Sequence, residues 1–217
     1  EGRKALEQNY TGAGPSKLRL TFPFIATSTI RDHPANENLR VAENLFYQAL
    51  AFKEDMVDAR LGLACIYLNE AKYGLAREEF QKVLNVKKDH VQALIGRGVA
   101  GFEQAAQGAD PLRRSALLRG ALEDFNAALQ REPQSAEARY NKIWTLYESG
   151  MHPEAVRESD AYLSRESDST WAEELKGLRV RMRATKVSAV EREVRRAAIA
   201  RDASALMELA RQASYQM

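Results

Sequence analysis

The residues best able to act as base, nucleophile or metal ligand are three histidines, His33, His90 and His152, and one cysteine, Cys65. A ligand set or a catalytic dyad needs such groups within hydrogen-bond reach of one another. Here each histidine falls in a separate turn, which predicts surface histidines. Cys65 sits inside an apolar helical run with no histidine near it in the pattern, so a buried, reduced thiol is expected and a disulfide scaffold is excluded. Gly96, Gly98 and Gly101 do not form a phosphate-cradling loop. They lie within a helical stretch, where close helix packing is the expected use. Carboxylates such as Glu78 and Glu79 fall on the polar side of an amphipathic pattern and read as solvated charges. No catalytic residue, cofactor or metal site emerges.

What must position any other kind of site is a set of helices. The 217 residues are 45% hydrophobic and 29% charged, a balance that is neither disordered nor fibrous and suffices for one or two domains. Aromatics are few, while Ala, Leu, Arg and Glu dominate, which suits an all-α protein. No apolar run approaches the length of a membrane span, and no signal peptide is visible; a cytoplasmic protein without membrane attachment is the expectation. The sequence opens Glu1-Gly2-Arg3 without an initiator methionine, so a fragment of something longer is expected.

The stretch from Asn38 to Leu84 repeats itself at an offset of 34: Ala42 recurs as Ala76, Phe46 as Phe80 and Leu50 as Leu84. The series continue as Ala42, Ala76, Ala121, Ala155 and as Leu50, Leu84, Leu129, Leu163, each stepping by 34, 45 and 34. A third series, Ala59, Ala93, Ala138, Ala172, belongs to the first helix of each pair and takes the same steps. A fixed period of this size marks stacked helical hairpins, none of which can bury its apolar stripe alone. The common step of 45 is an 11-residue insertion between Ala93 and Ala121. Gly108, Asp110 and Pro111 supply a stop, a cap and a start, so both arms of that hairpin should lengthen by about one and a half turns and project.

These signals divide the chain into an irregular arm over 1–37, a repeat body over 38–185 and a helical cap over 186–217. Inside the arm, Lys17 to Ile25 alternates like an extended segment, and residues 10–37 could lie on the end of the helical body or in its groove. The body comprises a half repeat at 38–54 and units at 57–90, 91–135, 136–169 and 170 onward. Asp55, Asp89 and Asp110 are the expected N-caps, Asp168 precedes a helix expected from Thr170 to Ala184, and Gly150 with Pro153 marks the tight turn of the fourth unit.

In combination, Ala59, Leu63, Ala64, Tyr67, Tyr73, Ala76, Phe80 and Leu84, with Pro133 closing the third unit, make the chain resemble tetratricopeptide repeats. Glu54, Lys88 and Ser167 stand where that proline would recur, and Ser159 replaces the aromatic of the fourth second helix. The resemblance implies a right-handed α-α superhelix whose first helices line a concave groove. Its lining would be Asp58, Leu61, Cys65 and Asn69; Gln92, Ile95, Val99 and Glu103; Glu137, Tyr140, Asn141, Trp144, Tyr147 and Glu148; and Trp171, Glu174 and Leu178. Tyr140, Trp144 and Tyr147 would anchor a protein or peptide with apolar side chains and some positive charge, unless they pack between repeats. The Lys and Asn set that clamps chaperone C-termini is absent from these places. The long third hairpin (ADPLRRSALLRGALEDFNAAL) and the segments EARYNKIWTLYESG and AYLSRESDSTWAEE also look like the repeat region of large bacterial proteins with a caspase-like CHAT domain. That likeness implies a regulatory segment of an enzyme whose catalytic domain lies elsewhere.

Net charge is +2, yet Lys176 to Arg201 carries +7, leaving −5 for the rest. Arg179, Arg183, Lys186, Arg192, Arg195 and Arg196 form a basic patch within it. Nucleic acid or an acidic partner is one reading. A solvated face of two amphipathic helices is the other, and it is favoured because no aromatics are interleaved with the charge.

Overall fold

A computed structural model describes residues 37–182 except 109 and 168, with side chains described from residue 40 onward. The arm assigned to residues 1–37, apart from Glu37, and the cap assigned to 186–217 lie outside the described residues, as does Asp168. Among the described residues every regular element is helical: α1 Glu37–Phe52, α2 Val57–Asn69, α3 Tyr73–Val86, α4 Val91–Ala106, α5 Pro111–Arg131, α6 Ala136–Glu148, α7 His152–Leu163, and α8 over 170–182. Each helix from α1 to α7 packs on the next in sequence, and α2 touches α4 as α4 touches α6. The first helices of successive hairpins are therefore neighbours. The chain divides into two compact units, Glu1–Ala172 and Glu173–Met217. The boundary falls inside the span read from the sequence as one repeat body.

The periodic residues are the core. Ala76, Phe80, Ala93, Ala121, Phe125, Ala138, Ala155 and Ala172 are all sealed from solvent. Small residues are required at specific places because rings lie directly on them. The Phe46 ring covers Gly62 and, 34 residues on, the Phe80 ring covers Gly96; a Cβ at either glycine would collide with the ring. Phe125 does the same at Gly98, where the ring comes within 2.7 Å of a built Cβ. Ser159, which takes the aromatic's place in α7, is fully buried and satisfies its hydroxyl by donating to the Ala155 carbonyl at 2.7 Å.

The turns repeat as faithfully as the core. In the α2–α3 turn Glu70, Ala71 and Lys72 donate to the carbonyls of Ile66, Leu68 and Tyr67; in the α6–α7 turn Ser149, Gly150 and Met151 donate to those of Thr145, Tyr147 and Leu146. The same backbone position is left-handed in both, with φ 76° at Gly150 and φ 57° at Ala71. A glycine adopts that conformation freely, and an alanine pays for it.

Two expected caps and one expected length are corrected. The helical ladders open with Arg60 N–H on the Met56 carbonyl and Leu94 N–H on the His90 carbonyl. Met56 and His90 are thus the N-caps, and Asp55 and Asp89 stand one residue too early. His90 Nδ1 accepts from Ala93 N–H at 3.4 Å, while Asp89 faces Arg131 at 3.5 Å. Asp110 does cap α5, accepting from Leu112 and Arg113, with Pro111 in the first turn. Ser135 and Ser169 cap the next two first helices. The insertion is not shared equally: α4 has 16 residues against 13 in α2, and α5 has 21 against 14 in α3. Gly108, at φ 95°, stops α4, and the Asp110–Pro111 start leaves the larger share of the extra length to α5. Its tip does not stand free, since Arg114 reaches the Glu148 carboxylate at 3.1 Å and the Glu148 carbonyl at the end of α6.

Because Ala71 and Gly150 occupy one position of the same turn, they respond oppositely to exchange. Gly150→Ala should lower stability by about 1 kcal/mol, whereas Ala71→Gly should leave it unchanged or raise it by up to ~1 kcal/mol. Urea unfolding of both variants measures this; a clearly destabilised Ala71→Gly protein contradicts it.

Candidate functional site

The first helices α2, α4, α6 and α8 are the elements that present the expected groove residues, and the structure sorts those residues by exposure. Asp58 and Gln92 are exposed; Leu61, Cys65, Asn69, Glu137, Tyr147, Glu148 and Glu174 are half-buried. Ile95, Val99, Glu103, Tyr140, Asn141, Trp144, Trp171 and Leu178 are buried. Tyr140, with 0% exposure, is among the largest fully buried side chains, and its ring meets Trp171 at 5.3 Å. The assignment of Tyr140 as a groove anchor is therefore corrected: it fills the core. Trp144, also buried, meets Tyr147 edge-on at 6.0 Å. Tyr147 in turn stacks on His152 at 5.3 Å, at the turn into α7. Of the three expected anchors only Tyr147 keeps surface. Ile95, Val99, Glu103 and Asn141 are buried too and are corrected in the same sense, as is Leu178 within its own unit. The physical reason is that large residues on adjacent first helices fill one another's spaces before any ligand can.

Among the described residues His90, His152 and Cys65 do not come together as one site, and His33 lies outside those residues. His90 is an N-cap whose burial pushes its pKa below the ordinary value, with Lys87 adding to the effect. Cys65 is pushed well above the thiol range by burial, which leaves it a poor nucleophile. Among the described residues no group of His, Cys, Asp and Glu could hold a metal ion. None of their helices is long and apolar enough to cross a membrane. Of the basic patch, only Arg179 is described, and it is half-buried. Arg183, Lys186, Arg192, Arg195 and Arg196 lie outside the described residues.

A charge pair inside each hairpin escaped the sequence reading. Glu79 is only 8% exposed and accepts from Arg60 at 3.0 Å, so it is not a solvated charge. The same register holds Asp124, paired with Arg97, and Glu158, paired with Arg139 at 3.1 Å. The acids step by 45 and 34 like the core residues, which is the signal that would have found them. Arg139 lies where Arg60 does. Leu94 occupies that place in α4, and Arg97, one turn further on, serves instead.

No protein-family model matches the chain, and no curated protein is similar enough to match it.

Two measurements check the arrangement. Tyr140→Ala should cost on the order of 3 kcal/mol or more in unfolding free energy, as deletion of a sealed aromatic does; a variant that melts like wild type would return Tyr140 to the surface. The acids should also differ in pH dependence. Burial raises the Glu158 carboxyl, but Lys142 and Arg139 outweigh it and hold the value below the ordinary one. Its contribution is present above the ordinary Glu value and is lost as pH falls through the lowered one. Asp124 is raised, because burial outweighs Arg97. Its contribution is fully present below the ordinary Asp value and shrinks as pH rises through the raised one. Glu158→Gln should thus cost more at about pH 7 than at about pH 3, and Asp124→Asn less, with equal slopes excluding this account.

Proposed function

We infer that the chain is a non-catalytic protein-interaction module built from tetratricopeptide-like hairpins, stacked as a superhelix whose first helices offer a surface to another polypeptide. The observation that carries this reading is the adjacency of first helices, α2 against α4 and α4 against α6, in hairpins that share core, turn and charge-pair register. A row of like helices presents a ribbed surface suited to a helix or extended peptide.

The usable part of that surface is narrower than the family resemblance implies. It comprises Asp58, Leu61, Cys65 and Asn69 on α2, Gln92 on α4, and Tyr147 and Glu148 at the end of α6. Asp58 gives it an acidic edge, which favours a partner with apolar anchors and positive charge, whereas the Glu148 carboxylate is already paired with Arg114. A regulatory segment of a larger enzyme, as in CHAT-type peptidases, is the second reading; it uses the same surface and is supported by the sequence likeness of the long third hairpin.

Leu61→Lys combined with Gln92→Lys alters this surface without touching the sealed core. In calorimetric titration against a partner captured with the wild-type chain, the pair should weaken binding at least tenfold while the melting temperature stays within about 2 °C. Unchanged affinity places the binding surface elsewhere.

A further inference from the structure

Met56, His90, Ser135 and Ser169 share one register, the place just before each first helix. A side chain there decides whether an orphan N–H of the first turn finds an acceptor. The hydroxyls of Ser135 and Ser169 accept from the N–H three residues on, at 3.2 and 3.1 Å, whereas Met56 offers no acceptor. At α4 the acceptor is the Nδ1 atom of His90, 3.4 Å from Ala93 N. A hydroxyl accepts whatever the pH; an imidazole nitrogen accepts only while it carries no proton. Protonation of His90 therefore removes the cap and sets a positive charge on the positive end of the α4 dipole.

The charges around the ring connect this cap to the surface proposed for binding. Burial and Lys87 oppose the imidazolium and hold the His90 pKa below its ordinary value. A backbone bond at His90 and the charges of Asp58 and Asp89 act the other way. Asp89 faces Arg131, from the last turn of α5, at 3.5 Å. Asp58, reaching the ring from α2, is the exposed acid at the edge of that surface, and Gln92 follows His90 on α4. A proton on His90 and a cation at Asp58 thus compete for one carboxylate. Such coupling is reciprocal: whatever the cation does to the proton, the proton does to the cation.

We propose that His90 makes the surface of α2 and α4 pH-sensitive: its protonation releases the first turn of α4 and sets a positive charge beside Asp58, weakening the hold on a cationic partner. The second half of this rests on the protein-interaction reading of that surface; the cap does not. The neutral ring contributes its full share of stability above the ordinary histidine value. That share shrinks as pH falls below the ordinary value and is gone below the lowered one.

An NMR titration of the full chain from about pH 8 to about pH 5 tests both halves without a partner. The His90 ring signal is identified by its loss in His90→Asn. Its midpoint should lie below the ordinary histidine value, and the Ala93 amide should shift with the same midpoint. Asparagine caps at every pH in this range, so in His90→Asn the Ala93 amide should stay put. Lys87→Gln should raise the midpoint and Asp58→Asn should lower it. Asp58→Lys, which fixes a cation where a partner would bring one, should lower it by about half a pH unit or more, equivalent to about threefold in the affinity of a cation at that place. Asp58 is exposed, so its variants do not endanger the fold. A midpoint at or above the ordinary value, or an Ala93 amide indifferent to it, overturns the cap. A midpoint that ignores both Asp58 variants overturns the coupling to the surface. Unchanged binding by the Leu61→Lys, Gln92→Lys protein is a different result, which overturns the surface itself and leaves the titration to decide the cap.

Discussion

A phenylalanine ring lying on bare backbone sets the spacing between hairpins. Where Phe80 covers Gly96 there is no room for a single additional carbon, so α3 and α4 approach as closely as a ring's thickness allows. The same pairing, Phe46 on Gly62, sets α1 against α2 one period earlier. Packing this tight fixes register as well as distance, because a ring cannot slide along a helix without meeting the next Cβ.

The acids of the second helices add a second level of specification. Each of Glu79, Asp124 and Glu158 meets an arginine from its own hairpin, so the pairs tie a hairpin's two arms rather than one hairpin to another. Burying such a pair adds little net stability, but leaving one partner alone is costly. A helix pair in the wrong register would strand a charge, which makes the pairs devices of register more than of strength. The exception is α1, where Leu45 stands in the register of the acids.

These features bear on function through what they leave free. Rings and leucines on the first helices are largely consumed by packing, with Tyr140 against Trp171 and Trp144 against Tyr147. Of the expected groove residues, those that keep surface lie on α2, at Gln92 of α4, at Glu137, Tyr147 and Glu148 of α6, and at Glu174. His90 is engaged as a helix cap, and burial raises the Cys65 thiol.

Periodicity alone was enough to place the helices, their pairing and the 11-residue insertion, because these depend on local pattern: a small residue, an aromatic and a leucine recurring at one offset can satisfy only one stripe of one helix. The turn glycines and the Asp110–Pro111 start were legible for the same reason. Exposure was not legible. Whether Tyr140 faces solvent or Trp171 depends on what a neighbouring helix brings to the same space, and Glu79 looks like any surface carboxylate until Arg60 is set opposite it. Sequence by itself determined the repeat and its period. Tertiary packing alone decided which of its side chains are spent on the fold and which are left to meet another molecule, because burial belongs to pairs of elements and not to either one.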